Sequence, residues 1–232
     1  MNPKIAWMTV ASIAITVGAY SLSRWIGARR PSPLTVPVFL ATPMVMVAIT
    51  VTHIDITGYH QASTIMTYFL GPATVALAVP FYRHRQVLRE NVLPLSAGLI
   101  AGTTVAMAGG VLLARAFGLS AALQAAFSLK TATAPVAIAD APHVHADPTL
   151  VAGLVVVCAL LGTMIGPKLL SLLRVRGEVA RGTALGAIAS GQGVAQSLTE
   201  SDLTGAAASI AMVLAALVVT LLAPLVMRIF GG

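Results

Sequence analysis

Only 9% of the 232 residues are Asp, Glu, Lys or Arg, and the few charges fall in short clusters between long apolar runs. A soluble domain carries about 25% charged residues, so a chain this poor in charge cannot coat a surface that faces water. Its hydrophobic fraction, 57%, belongs instead to a protein whose solvent is lipid. A spanning helix needs about 20 mostly apolar residues. The length therefore allows several crossings and leaves no room for a separate soluble domain of ordinary size. The expectation is one membrane domain over residues 1–232. Its fold class is all-α, a polytopic transmembrane helical bundle with about six full spans plus two broken or re-entrant segments.

The same poverty of charge excludes other classes. The formal net charge of +7 suggests nucleic acid, but the basic residues sit in loops between apolar runs, where positive-inside topology places them. No nucleic-acid partner is expected. The acidic residues are scattered, and no GxSxG, HExxH, Walker loop or CxxC occurs, so the chain is read as no enzyme, with no cofactor. His143, His145 and Asp147 alternate in one loop, which is too few ligands in too short a segment for a zinc site. Cys158 is the single cysteine and has no disulfide partner. Lys4 opens an apolar run with no small-residue cleavage site behind it, so this run reads as a retained span and not a removed signal.

Full spans are expected at Ile5–Ile26, Thr35–Thr52, Ser63–Tyr82, Val92–Phe117, Thr149–Leu173 and Leu203–Phe230. Arginine clusters set the topology: Arg24, Arg29 and Arg30; then Arg83, Arg85 and Arg89; then Arg174, Arg176 and Arg181. If Ala121–Ala141 crossed the membrane, the last cluster would lie outside. If that segment turns back within the membrane, all three clusters lie inside, as the charge rule requires. Thr183–Leu198 is also too short and polar for a plain span, and sequence leaves open whether it crosses. Non-helical backbone at membrane depth survives only where it is packed in protein or lines a wet cavity, so two such segments imply a polar pathway. Ala73–Ala78 echoes Ala132–Ala137, which suggests an inverted repeat of interrupted segments. Chance similarity is the competing account in a chain so rich in alanine. The GxxxG pairs Gly98/Gly102, Gly162/Gly166 and Gly182/Gly186 read as seams of close helix packing within the chain.

Lys130 is the most informative residue. A charge at the centre of a spanning helix costs about 2.5–3.5 kcal/mol, so it needs a reason. Thr131 and Thr133 add hydroxyls, and Pro135 frees backbone groups. An ammonium, hydroxyl donors and a half-helix N-terminus together suit an anion. Snorkelling to the surface, or a structural carboxylate partner, would also account for the lysine. Asp140 is either that partner, a proton carrier or an interfacial carboxylate. Gly71 and Pro72 interrupt a second run, with Thr74 next to the break. Ser190, Gln192, Gly193 and Gln196 form a polar stretch punctuated by glycine. Each of these lines a pocket or, on the plainer reading, is a kink or a loop.

At these segments the chain resembles the LrgB/CidB family of bacterial membrane proteins. The resemblance rests on Leu70–Tyr82, on Ser128–Ala137, on Arg181–Gly186 and on Gly205 through Pro224. The family's Pro-Lys becomes Leu129-Lys130 here. Its Ser-His pair and the following Gly-Thr-Ala-Arg become Ala189-Ser190 and Gly193-Val194-Ala195-Gln196, which puts the family's substrate or proton coupling in doubt for this chain. The resemblance implies a secondary transporter of small monocarboxylates, of the glycolate, glycerate, lactate or pyruvate class, proton-coupled or facilitative. A related plant protein is a plastidal glycolate/glycerate translocator. The alternative it implies is a holin/antiholin-like modulator of murein hydrolase activity and cell lysis that acts by oligomerising. It also implies a bacterial inner-membrane location, contact with membrane lipid, a homodimer and a small LrgA/CidA-type membrane partner. On the carrier reading Lys130 holds the carboxylate, and Thr74, Thr131, Thr133 and the Ser190–Gln196 stretch bind the rest.

Overall fold

The computed structural model describes residues 3–29, 37–76 and 78–231; among these, the side chains of 3–6, 38, 56–58, 70, 73, 74, 78 and 81 lie outside the described set. The described residues are helical, with no strand among them. Two compact units divide the chain, Met1–Ala76 and Leu77–Gly232.

The first unit holds α1 (Pro3–Arg29), α2 (Pro37–Thr52), α3 (Ile56–Tyr68) and α4 (Leu70–Ala76). Ala19 on α1 packs against Ala41 and Val45 on α2. The buried hydroxyls of Ser12 and Ser23 donate to the carbonyls of Met8 and Tyr20 within their own helix, which satisfies them where no water is present. The expected third span, Ser63–Tyr82, is not one helix. It breaks after Tyr68, and Pro72 falls in the first turn of α4, where a missing N–H does no harm.

The second unit begins with α5 (Ala78–Arg83) and α6 (Arg85–Glu90), and continues with α7 (Val92–Ala116), α8 (Ala121–Leu129), α9 (Ala134–Asp140), α10 (Pro148–Leu172), α11 (Glu178–Leu198) and α12 (Asp202–Phe230). Three of these, α7, α10 and α12, are long and apolar enough to cross a membrane. Large side chains such as Leu93, Phe117, Leu172 and Leu221 stay exposed, as a lipid-facing surface allows.

The mast of this unit is α12. Leu88 on α6 and Leu95 in the first turn of α7 pack on Ala206 and Ala207, whereas Met107 and Val111, further along α7, pack with Val219, Ala223 and Val226. The two helices therefore run parallel. Arg83, Arg85 and Arg89 lie at the end where α12 begins.

Residues 121–141 do turn back. Ala125 and Leu129 on α8, Ala137 on α9, and Ala141 and Val144 beyond it all share one cluster with the last third of α12. Both legs therefore occupy the same half of the unit, and α10 starts again from that end. The second polar segment is also a hairpin. A side chain at Gly182 would strike the Thr204 carbonyl, and one at Gly205 would strike Leu198, so residues 182 and 198 stand at the same level of α12. Inside α11, Ser190 leaves helical geometry at φ 50°, ψ −135°. The carboxylate of Glu200 accepts from Arg181 Nε at 2.7 Å and Nη2 at 2.8 Å, tying the two feet together. Arg181 also donates to the carbonyls of Val175 and Pro167.

Two hairpins thus enter from opposite ends. The one at 121–141 follows α7, and the one at 178–198 follows α10, which runs the other way. This inverted arrangement pairs α7 and its hairpin with α10 and its hairpin. The sequence echo joins a different pair of segments, 73–78 and 132–137. The Arg83–Arg89 and Arg174–Arg181 clusters come to one end of the unit, which is the arrangement that charge bias demands.

Among the GxxxG pairs, Gly162 and Gly166 face Ile188, Ala189 and Leu185 on α11, and Gly182 and Gly186 face the α12 backbone. These are packing seams. Gly98 and Gly102 are not, because nothing lies within 4 Å of where their Cβ atoms would be.

Candidate functional site

The hairpin tips meet halfway along the spans. Ser190 Oγ, at the tip of one, donates to the carbonyl of Ala132, in the tip of the other, at 3.2 Å. The first tip is the four-residue break between α8 and α9, residues Lys130–Thr133. It exists because α8 stops at Lys130 and Thr133, in extended geometry (φ −72°, ψ 147°), starts α9 with Pro135 in its first turn. Proline has no N–H to lose there. The second tip is the single strained residue Ser190. Gly193 lets its return leg close, because a side chain there would strike the Leu185 carbonyl.

Lys130 does not snorkel to the surface. Its Nζ donates to the carbonyl of Ala106, midway along α7. Gly110, one turn on, leaves the space for it, since a Cβ at that position would collide with the amine. Cys158, midway along α10, is close enough to interact with the same charge. The one ion pair among the described residues is Arg181–Glu200, so no described carboxylate neutralises Lys130. Asp140 is occupied elsewhere and accepts a 2.6 Å hydrogen bond from Thr220 on α12.

Between α7 and the first leg of α11 lies a cavity of about 450 Å³, lined mainly by small and apolar residues from the Asn91 and Gly177 level down to Ala106, Thr131 and Ile188. Thr103 and Thr131 reach it, are 3% and 4% exposed, and have no hydrogen-bond partner for their hydroxyls among the described residues. Nearby threonines behave otherwise. Thr104, Thr163 and Thr183 each donate to a carbonyl four residues back, the usual resting place for a helical hydroxyl. Gln192 Oε1 is likewise buried without a described partner.

Of the residues expected at a site, Lys130, Thr131, Thr133 and Ser190 come together at the tips. Pro135 is exposed in the first turn of α9. Gly193 serves the close approach of the legs. Gln196 turns away and donates to Thr199 at 3.2 Å, toward the feet of its hairpin. Gly71 belongs to the first unit, as does Thr74, whose side chain lies outside the described residues. Thr103, Ala106 and Gly110 were missed by sequence reasoning. Thr103 had a faint signal, a Thr-Thr pair in an Ala/Gly-rich span. A carbonyl acceptor such as Ala106 has none.

Comparison with known proteins adds a family. Residues 16–229 match the model of the LrgB-like family. The chain belongs to that family. The uncharacterized protein YxaC of Bacillus subtilis is 30% identical over 97% of this chain and 98% of its own length. The antiholin-like protein LrgB of B. subtilis is 27% identical over 86% of each chain. The holin-like protein CidB of Staphylococcus aureus is 25% identical over 94% of this chain and 95% of its own. No solved structure matches.

Proposed function

We propose that this LrgB-like membrane protein carries small monocarboxylates across the bacterial inner membrane, crossing it several times with its arginine-rich end in the cytoplasm. The observation that supports this most is the pair of hairpins, entering from opposite ends and meeting at Lys130. A buried cation with no carboxylate partner among the described residues, beside broken helix ends, attracts an anion. Lys130 would meet the carboxylate, and Thr131, Thr133, Ser190 and Gln192 would bind the rest. Opposed hairpins supply two barriers, one on each side of the site, and a carrier must open these in turn.

A second reading is favoured by the relatives. LrgB and CidB are named antiholin-like and holin-like, and those names speak for a modulator of cell lysis, working by oligomerisation and with a small LrgA/CidA-type partner, more directly than for a carrier. The two differ in what crosses the membrane. With purified protein in proteoliposomes, a carrier shows saturable uptake of labelled pyruvate or glycolate, and Lys130→Ala lowers that uptake at least about tenfold, the worth of one charged hydrogen bond. Leakage of trapped dyes regardless of size, unchanged in Lys130→Ala, would establish the pore and end the carrier reading.

A further inference from the structure

The cavity between α7 and the first leg of α11 does not reach the lysine amine. It stops at Thr131, next in sequence to Lys130, and at Ala106, whose carbonyl holds that amine. Two buried hydroxyls stand at this floor with no described partner. A buried polar group left unpaired costs about 1–3 kcal/mol, so a pair of them in one cavity, beside threonines that do donate to their own helix, calls for a ligand.

We infer that Thr103 and Thr131 form an entry site for a short-chain monocarboxylate with an apolar body, reached from the arginine-rich end before the ligand meets Lys130, with Thr131 shared between the two positions. The inference rests on the carrier reading for its direction, but it concerns binding alone. Each hydroxyl donates to a carboxylate oxygen. Donors of this kind gain strength where water is scarce. The residues around them are apolar or carry no charge: Gly98 and Gly102 leave α7 bare, and Ala184 does the same on α11. The cavity lining holds no lysine or arginine, so the two hydroxyls at its floor are what receives the charge and they serve one carboxylate; a second would be buried with neither donor nor counter-charge, at a high cost. An apolar body fits; a dicarboxylate does not.

The test reads binding without transport. Ala184→Cys, made together with Cys158→Ala, carries the protein's single thiol within the cavity. Its rate of modification by a charged methanethiosulfonate is followed in detergent with propionate, pyruvate, succinate or propionamide added. Propionate and pyruvate should slow the reaction, and succinate and propionamide should not. Adding Thr103→Val and Thr131→Val, which keep shape and remove the hydroxyls, should raise the protecting concentration about tenfold or more. Thr103→Ser with Thr131→Ser should restore it, which separates a lost hydroxyl from a misfolded protein. The inference is overturned by no protection from either monocarboxylate, by equal protection from succinate or propionamide, or by protection indifferent to the valine pair. Protection without uptake by the wild type would sink the carrier and leave the site; uptake without protection would do the reverse.

Discussion

A buried charge is decided by what surrounds its last few atoms. Lys130 reaches Ala106 only because Gly110 has no side chain. Gly110→Ala would put a methyl where the amine lies, and such overpacking costs about 1–3 kcal/mol. If the lysine is what collides, the cost should largely vanish in a Lys130→Ala background. Thermal unfolding of the four proteins in this cycle should therefore show a coupling of about 1 kcal/mol or more. Strict additivity would mean that the glycine serves some other contact. The motif around the lysine was plain in the chain, since Lys130, Thr131, Thr133 and Pro135 lie within six residues. Its acceptor was not. A backbone carbonyl is the same at every position, so sequence carries no mark of which one is used.

Elements here are held by their ends. Asp147 caps α10, accepting from the N–H groups of Thr149 and Leu150 at 2.7 and 3.0 Å. Those two donors hold its carboxyl below the usual value. A depressed carboxyl stabilises the folded state fully above its unfolded value, about 3.9, and that contribution is lost as the pH falls through the lower folded value. Asp147→Asn should therefore be less stable than wild type at pH 6, and the difference should shrink on acidification below about pH 4. Melting curves at the two pH values check it, and a constant difference would count against the cap as its source. The cap was within reach of sequence reasoning, because Asp-Pro before an apolar run starts a helix. The return of α11 was not. Its polar, glycine-rich stretch showed that something breaks there, but a kinked crossing and a hairpin share the same composition. What decides between them is that Gly182 and Gly205 let α11 and its return leg lie flat on α12.

On the scale of the whole molecule, two hairpins give a definite sidedness. In the Cys158→Ala protein, Arg85→Cys and Arg176→Cys should both be labelled by an impermeant thiol reagent from one face of the membrane, and His143→Cys from the other. Labelling of Arg85→Cys and Arg176→Cys from opposite faces would mean that residues 121–141 cross and the hairpin does not exist. The apolar runs placed the long spans at α7, α10 and α12, though not the broken one at 63–82, and the arginine clusters argued, before any coordinates, that 121–141 turns back. Hydropathy reports the free energy of moving a segment from water into lipid, and that quantity is local to the segment. The partners of each segment are another matter. Lipid is as apolar as leucine, so hydrophobicity gives helices within the bilayer no preference for one neighbour over another. Close approach of backbones does that, at Gly182 and Gly186, and so does one bond between the tips, from Ser190 to Ala132. The inverted pairing of hairpins, the Thr103–Thr131 floor and the placement of Lys130 all follow from those contacts.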